Sequence, residues 1–132
     1  MKGLDASLKS SGPPLAALLF DSITEAVDCS AGRVVISGSH GGVSSARYAL
    51  QAVPRLAVFN DAGVGKDQAG IAALAMLQAA GIAACTVAHT SARIGEARST
   101  LDDGVISFVN PAAQAMGLHA GAQLREALVA FG

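Results

Sequence analysis

Residues 56–88 read LAVFNDAGVGKDQAGIAALAMLQAAGIAACTVA. The segment opens on an apolar run, Leu56–Asn60, and passes through the polar, glycine-rich Asn60-Asp-Ala-Gly-Val-Gly-Lys-Asp67. It closes on a second apolar run, Ala83–Ala88. Between the runs, Asp67–Ala80 carries Ile71, Leu74 and Leu77, with Met76, at helical spacing, and Gly81 stands where such a helix would stop. Both runs are near-continuous in apolar residues rather than alternating, the pattern of strands buried on two faces. Strand, helix and strand in this form make a parallel crossover unit.

The same pattern extends in both directions. Leu15–Phe20, Arg33–Ser37 and Val105–Val109 are further short apolar runs, giving five strands in all. Ser44–Ala52, Pro111–Met116 and Ala120–Phe131 read as helices, with Gly117 between the last two. Ser22-Ile-Thr-Glu25 has capping-box spacing, and the twelve residues Asp21–Gly32 just suffice for a crossover. Alternation of this kind specifies an α/β fold: a three-layer, doubly wound, mainly parallel sheet of about five strands, Rossmann-like or flavodoxin-like. Met1–Pro14 reads as a flexible polar tail, with residues 15–132 as a single α/β domain. Lys2 and Lys9 have no apolar stretch between them, so the start is not a signal peptide.

Composition narrows the function classes. Hydrophobic residues make up 52% of the 132 and charged residues 14%, which rules out a disordered chain and leaves a surface poor in charge, suited to a homo-oligomer, a dimer or higher. A net charge of −1, nine scattered Lys and Arg, no Trp and one Tyr give nucleic acid neither an electrostatic footprint nor a stacking platform. No apolar run approaches the roughly 20 residues that span a bilayer, and the expected location is the cytoplasm. Cys29 and Cys85 are too few for a disulfide framework, and Cys85 falls inside a strand.

Parallel sheets bind ligands beyond the carboxyl ends of their strands. Three strands end in dense polar sequence: Ser37-Gly-Ser-His-Gly-Gly42, Asn60–Asp67, and His89-Thr-Ser-Ala-Arg-Ile-Gly-Glu-Ala-Arg-Ser99. In the first, Gly41 and Gly42 are placed to turn backbone N–H groups toward an anion, with Ser37, Ser39 and His40 beside them. The second resembles the end of a Walker A loop but has Asn60 where that motif wants Gly and Asp67 where it wants Ser or Thr, so nucleotide hydrolysis is not expected. Its Asn60, Gly63, Gly65 and Lys66 remain candidates for holding an anion, Lys66 being read as standing at a helix start. The third lies in a sixteen-residue connection, His89–Gly104, long enough to be functional, with Ser91 and Arg93 placed to close over a carboxylate or phosphate.

Acid–base chemistry needs one histidine and one carboxylate at such an edge, and His40, His89 and Asp61 supply them. Ser39, or Ser37, with His89 and Asp61 or Asp21 would make a nucleophilic set, although no Gly-x-Ser-x-Gly elbow is present. No close pair of His or Cys ligands occurs, so no metal and no cofactor are expected. Ser37–Gly42, Asn60–Asp67 and Ser91-Ala-Arg-Ile-Gly95, with Asp103-Gly-Val-Ile-Ser107, resemble an uncharacterised family of small bacterial α/β proteins over roughly Asp21–Gly117. That resemblance brings no activity and no residue role. The residues themselves lead to an enzyme acting on a small anionic metabolite by acid–base chemistry, as a hydrolase or an isomerase or lyase. The alternative is a non-catalytic metabolite-binding or regulatory subunit of a larger complex.

Overall fold

The computed structural model describes residues 4–8, 15–28 and 30–131; Cys29 lies outside them. Six strands form one sheet: β1 (Leu4–Leu8), β2 (Leu15–Phe20), β3 (Val34–His40), β4 (Leu56–Asn60), β5 (Ala83–Val87) and β6 (Ile106–Val109). β2 to β5 run parallel, with Val35 opposite Ala57 and Val58 opposite Cys85, and both outer strands are antiparallel to their neighbours. The fold is therefore α/β with a mostly parallel sheet, and the five strands read from the sequence are all present. Part of the supposed tail is not a tail: Leu4–Leu8 pairs along its whole length with β2.

The strand order corrects the expected topology. Rossmann-like and flavodoxin-like sheets reverse their order near the middle. Here the order is sequential from β1 to β6, so the sheet is not doubly wound. When parallel crossovers of one hand always step to the next position, their connecting elements collect on one face. The 3₁₀ turn Ile23–Ala26, helix α1 (Val43–Ala52) and helix α2 (Ala72–Ala79) do so. They share one apolar cluster with Leu18, Phe20, Val35 and Phe59. Ala46, Ala49 and Ala52 of α1 are buried in it, small enough to let the helix lie close on the sheet. The alternate strand residues Leu19, Ile36, Val58 and Val87 belong to the second cluster, with Leu101 of α3 (Ala97–Asp103), Ala113 of α4 (Pro111–Ala115), and Leu124 and Leu128 of α5 (Leu124–Phe131).

Local rules explain most boundaries. α2 and α4 both end in a Schellman turn: Gly81 donates to Gln78 and Ile82 to Leu77, while Gly117 donates to Gln114 and Leu118 to Ala113. Each glycine has the positive φ that this turn requires, 75° and 96°. Two helices start later than their patterns imply. Lys66–Ile71 is an irregular 3₁₀ segment with Asp67 and Gln68 in left-handed conformation, because Gly70 is drawn back to donate to Val64 at 2.7 Å; α2 begins only at Ala72. Lys66 consequently does not stand at the start of a regular helix. Residues before α5 are drawn into the sheet instead, Gly121 donating to Ile106 and Ile106 to Ala122.

β6 decides which residues reach the functional edge. It runs antiparallel to β5, so its first residues, not its last, lie with the carboxyl ends of β2 to β5. The long connection before it contains α3, whose first N–H, from Ala97, donates to the Asp21 carboxylate at the end of β2 (2.9 Å). The Thr100 hydroxyl donates to the Ser37 carbonyl at 3.2 Å, and Gly95 donates to the Gly38 carbonyl at 2.7 Å. No helix among the described residues is long and apolar enough to cross a membrane.

Candidate functional site: an aspartate–histidine pair beside an open groove

β4 ends in Asn60-Asp61, and the chain then makes a tight left-handed excursion. Ala62, Gly63, Val64 and Gly65 all have positive φ, from 52° to 78°. Two of these residues are not glycine, and left-handed conformation costs such residues about 1–2 kcal/mol each. Side chains at the strand end offset that cost. Asn60 accepts from the Ala62 N–H (2.8 Å) and donates to the Ala92 carbonyl (3.1 Å), tying the turn to the loop after β5. Asp61 Oδ1 accepts from the N–H groups of Gly63 (2.8 Å) and His89 (3.1 Å).

Oδ1 of Asp61 also lies 3.4 Å from Nδ1 of His89. The carboxylate side is 6% exposed and the imidazole 56%, so a buried anion orients a ring whose other nitrogen is left to solvent. The ring lies over Gly63, where a Cβ would sit 3.5 Å from Cε1. Burial pushes the Asp61 carboxyl up, but the Gly63 N–H, the Ser107 hydroxyl, the His89 N–H and the His89 charge together hold it below its ordinary 3.8. Ser107, near the start of β6, also shares a 2.8 Å hydroxyl bond with Thr86.

That depression has a consequence for stability. A carboxyl that gives up its proton more readily folded than unfolded stabilises the fold fully above 3.8 and loses that contribution as pH falls through the lower folded value. On acidification, the difference in thermal midpoint between the native chain and Asp61→Asn should shrink below pH 3.8 and stay constant above it. A difference that is flat across that range would remove Asp61 as a structural anion.

His89 opens on a groove of about 760 Å³ whose walls include Thr90, Arg93, Glu96, Arg98 and Asp102. Arg98 approaches Asp102 at 4.0 Å, and Asp102 is held more closely by Arg125 at 3.0 Å. The Arg93 backbone donates to the Ser99 hydroxyl (3.0 Å), while its guanidinium makes no ion pair among the described residues. Arg93 is therefore the cation of the groove available to a ligand. Ser91 also lines it, but its hydroxyl is committed, donating to Ala88 (2.7 Å) and accepting from Val105 (2.9 Å).

Other residues expected at the site are placed elsewhere. Ser37 is fully buried and donates to the Val58 carbonyl at 2.8 Å. The Gly41 N–H goes to the Asn60 carbonyl at 3.0 Å, and a Cβ there would stand 2.6 Å from the Gly70 carbonyl. This glycine permits close packing instead of cradling an anion. The N–H groups of Gly63 and Gly65 are spent inside their own turn, on Asp61 Oδ1 and the Gly63 carbonyl. Lys66 is exposed and does not line the groove. Ser39 and His40 border a second, smaller depression that shares no lining residue with the first, and Gly42, the N-cap of α1, lines neither. The structure thus brings Asp61, His89 and Arg93 to one place and separates them from Ser39 and His40. No serine hydroxyl is bonded to His89 among the described residues, so the serine-nucleophile set does not form. Nor, among the described residues, do three His, Cys, Asp or Glu side chains converge as a metal-binding group. Buried Cys85 has its thiol pushed up to about 12 by burial.

Ser107 is the member of this site that sequence reasoning passed over, since a parallel β6 would have put it at the far end of the sheet. Comparison with family models, curated proteins and solved structures finds no match, so the roles of these residues rest on their own geometry.

Proposed function

We propose that the chain is an enzyme that moves a proton on a small anionic metabolite, with His89 as the proton carrier. The observation that carries this reading is the buried Asp61 carboxylate, 3.4 Å from Nδ1 of a half-exposed imidazole at the mouth of the groove. A carboxylate on Nδ1–H favours the tautomer that leaves Nε2 as a base, and stabilises the imidazolium once a proton arrives. Arg93 would pair with the substrate's carboxylate or phosphate. Without a bonded nucleophile, the geometry favours isomerase or lyase chemistry, or hydrolysis by a water that His89 activates. As part of the same proposal, the helices on the two faces make this a three-layer domain. The chain works in the cytoplasm as a homo-oligomer, a state favoured by its low content of charge.

One observation favours a non-catalytic, ligand-binding subunit instead: Glu96, Asp102 and Asp103 share the walls with Arg93 and Arg98, a mixed lining suited to selective binding. Whether a bound ligand is chemically changed separates the two readings. A thermal-shift screen of carboxylates and phosphates comes first, where a ligand at a hundred times its Kd adds about 2.7 kcal/mol. A stabilising hit should fail with Arg93→Ala and persist with His89→Ala. Turnover of that hit should fall at least about 100-fold in His89→Ala. Full turnover in that variant would end the proton-carrier role, and a hit that is bound but never altered would install the binding subunit.

A further inference from the structure

The hydroxyls around the start of α1 take no part in the chemistry proposed for His89. Thr24, Ser39, His40, Ser44, Ser45 and Tyr48 border the second depression, of about 180 Å³. α1 is ten residues long, its N-cap is Gly42 with no side-chain cap bond, and its first turn holds no acidic residue. The first-turn N–H groups of a helix lack internal partners, and its start carries partial positive charge. A helix start alone would leave these groups to water.

Ser45 is the second and independent observation. It lines the depression, is 5% exposed, and its hydroxyl makes no hydrogen bond to any described residue. Among the described residues the sealed and unpaired side-chain oxygen is that of Ser30, so the unpaired Ser45 oxygen keeps its small exposed surface, in a residue that lines the depression. Ser39 adds a donor: its oxygen already accepts from the Ile23 N–H at 3.0 Å, which leaves its proton free to be given away. No carboxylate lines the depression, so nothing in its walls opposes a negative guest.

We propose that this depression is an oxyanion site, taking the phosphate or carboxylate group of a small molecule on the α1 N–H groups and the Ser45, Ser44 and Ser39 hydroxyls. It is separate from the His89 groove and stands whether or not His89 carries a proton.

The test is amide NMR of the ¹⁵N-labelled chain titrated separately with sodium phosphate and sodium acetate against chloride at matched ionic strength. Saturable shifts of the Val43, Ser44 and Ser45 amides are expected from at least one of them; phosphate alone would assign a phosphoryl ligand, and acetate alone a carboxylate. Ser45→Ala should weaken that binding about tenfold, the loss of one hydrogen bond to a charged group. Exposed Ser44→Ala provides a second variant with little folding cost and should weaken it in the same direction. His89→Ala and Arg93→Ala should leave it unchanged, so failure here and failure of the proton-carrier reading are told apart. Amides that respond to neither ion beyond chloride, or Ser45→Ala and Ser44→Ala variants that both bind as tightly as the native chain, would overturn the proposal.

Discussion

Asn110→Ala should lower the free energy of unfolding by about 4 kcal/mol, as much as truncating a large core side chain. Asn110 is 3% exposed and uses all of its polar capacity. Its oxygen accepts from the N–H groups of Ala84 and Ala113, both at 3.0 Å, and its nitrogen donates to the carbonyls of Ile82 (2.9 Å) and Leu74 (3.2 Å). One amide thus caps α4 and ties β5 and the turn before it to the first half of α2. Alanine strands these groups where water does not reach, and each buried orphan costs about 1–3 kcal/mol. Asn110→Asp should also destabilise the fold, because a carboxylate oxygen would then face the two carbonyls. Urea denaturation of both variants checks this, and a loss below about 1 kcal/mol for the alanine variant would mean that the site relaxes or hydrates.

Gly70→Ala should cost about 3 kcal/mol or more, and it should act on the candidate site as well as on stability. A Cβ at Gly70 would collide with the Asp61 carbonyl oxygen and stand 3.1 Å from that of Val64. Both neighbours are backbone and cannot rotate aside, so the turn that presents Asp61 must move. The ring resonances of His89 should shift in this variant, which a simple packing defect elsewhere would not cause. Gly65→Ala is the informative contrast. Nothing lies within 4 Å of a Cβ there, but φ +73° with ψ −169° is a conformation essentially reserved for glycine, so the cost is conformational, about 1–3 kcal/mol. The His89 ring resonances should move less in Gly65→Ala than in Gly70→Ala, and a Gly70→Ala loss below about 1 kcal/mol would mean that close backbone approach at Gly70 is not what holds the turn.

Much of the sheet was readable from residues alone, since β2 to β5 are apolar runs of the kind that burial on two faces explains, and β6 is a shorter apolar run at the edge with Phe108 exposed. β1 was missed because Leu4-Asp-Ala-Ser-Leu8 has no such run; it is an edge strand that borrows its partner from β2. The direction of β6 was not readable either. α3 spans about 10 Å over seven residues, less than the roughly 17 Å length of a five-residue strand, so the chain re-enters the sheet from the end it left. At the site, His89 and Asp61 were found because each directly follows a strand and the two strands pair. Ser37, Asn60 and Ser91 look the same in sequence but are structural: their polar groups bond inward. Polarity at a strand end identifies a hydrogen-bonding residue without telling a ligand's partner from the backbone's.

The unbroken strand order also bears on how the protein comes into being. The order lets each new strand dock, during synthesis, on the one made just before it, always at the same advancing side. No completed ladder must open to admit a later strand, and at every stage the strand just made offers its open edge to the next. A ribosome-bound intermediate can thus gain structure step by step, with the Asp61–His89 pair joined once β5 and the residues just beyond it have emerged, before β6 adds Ser107.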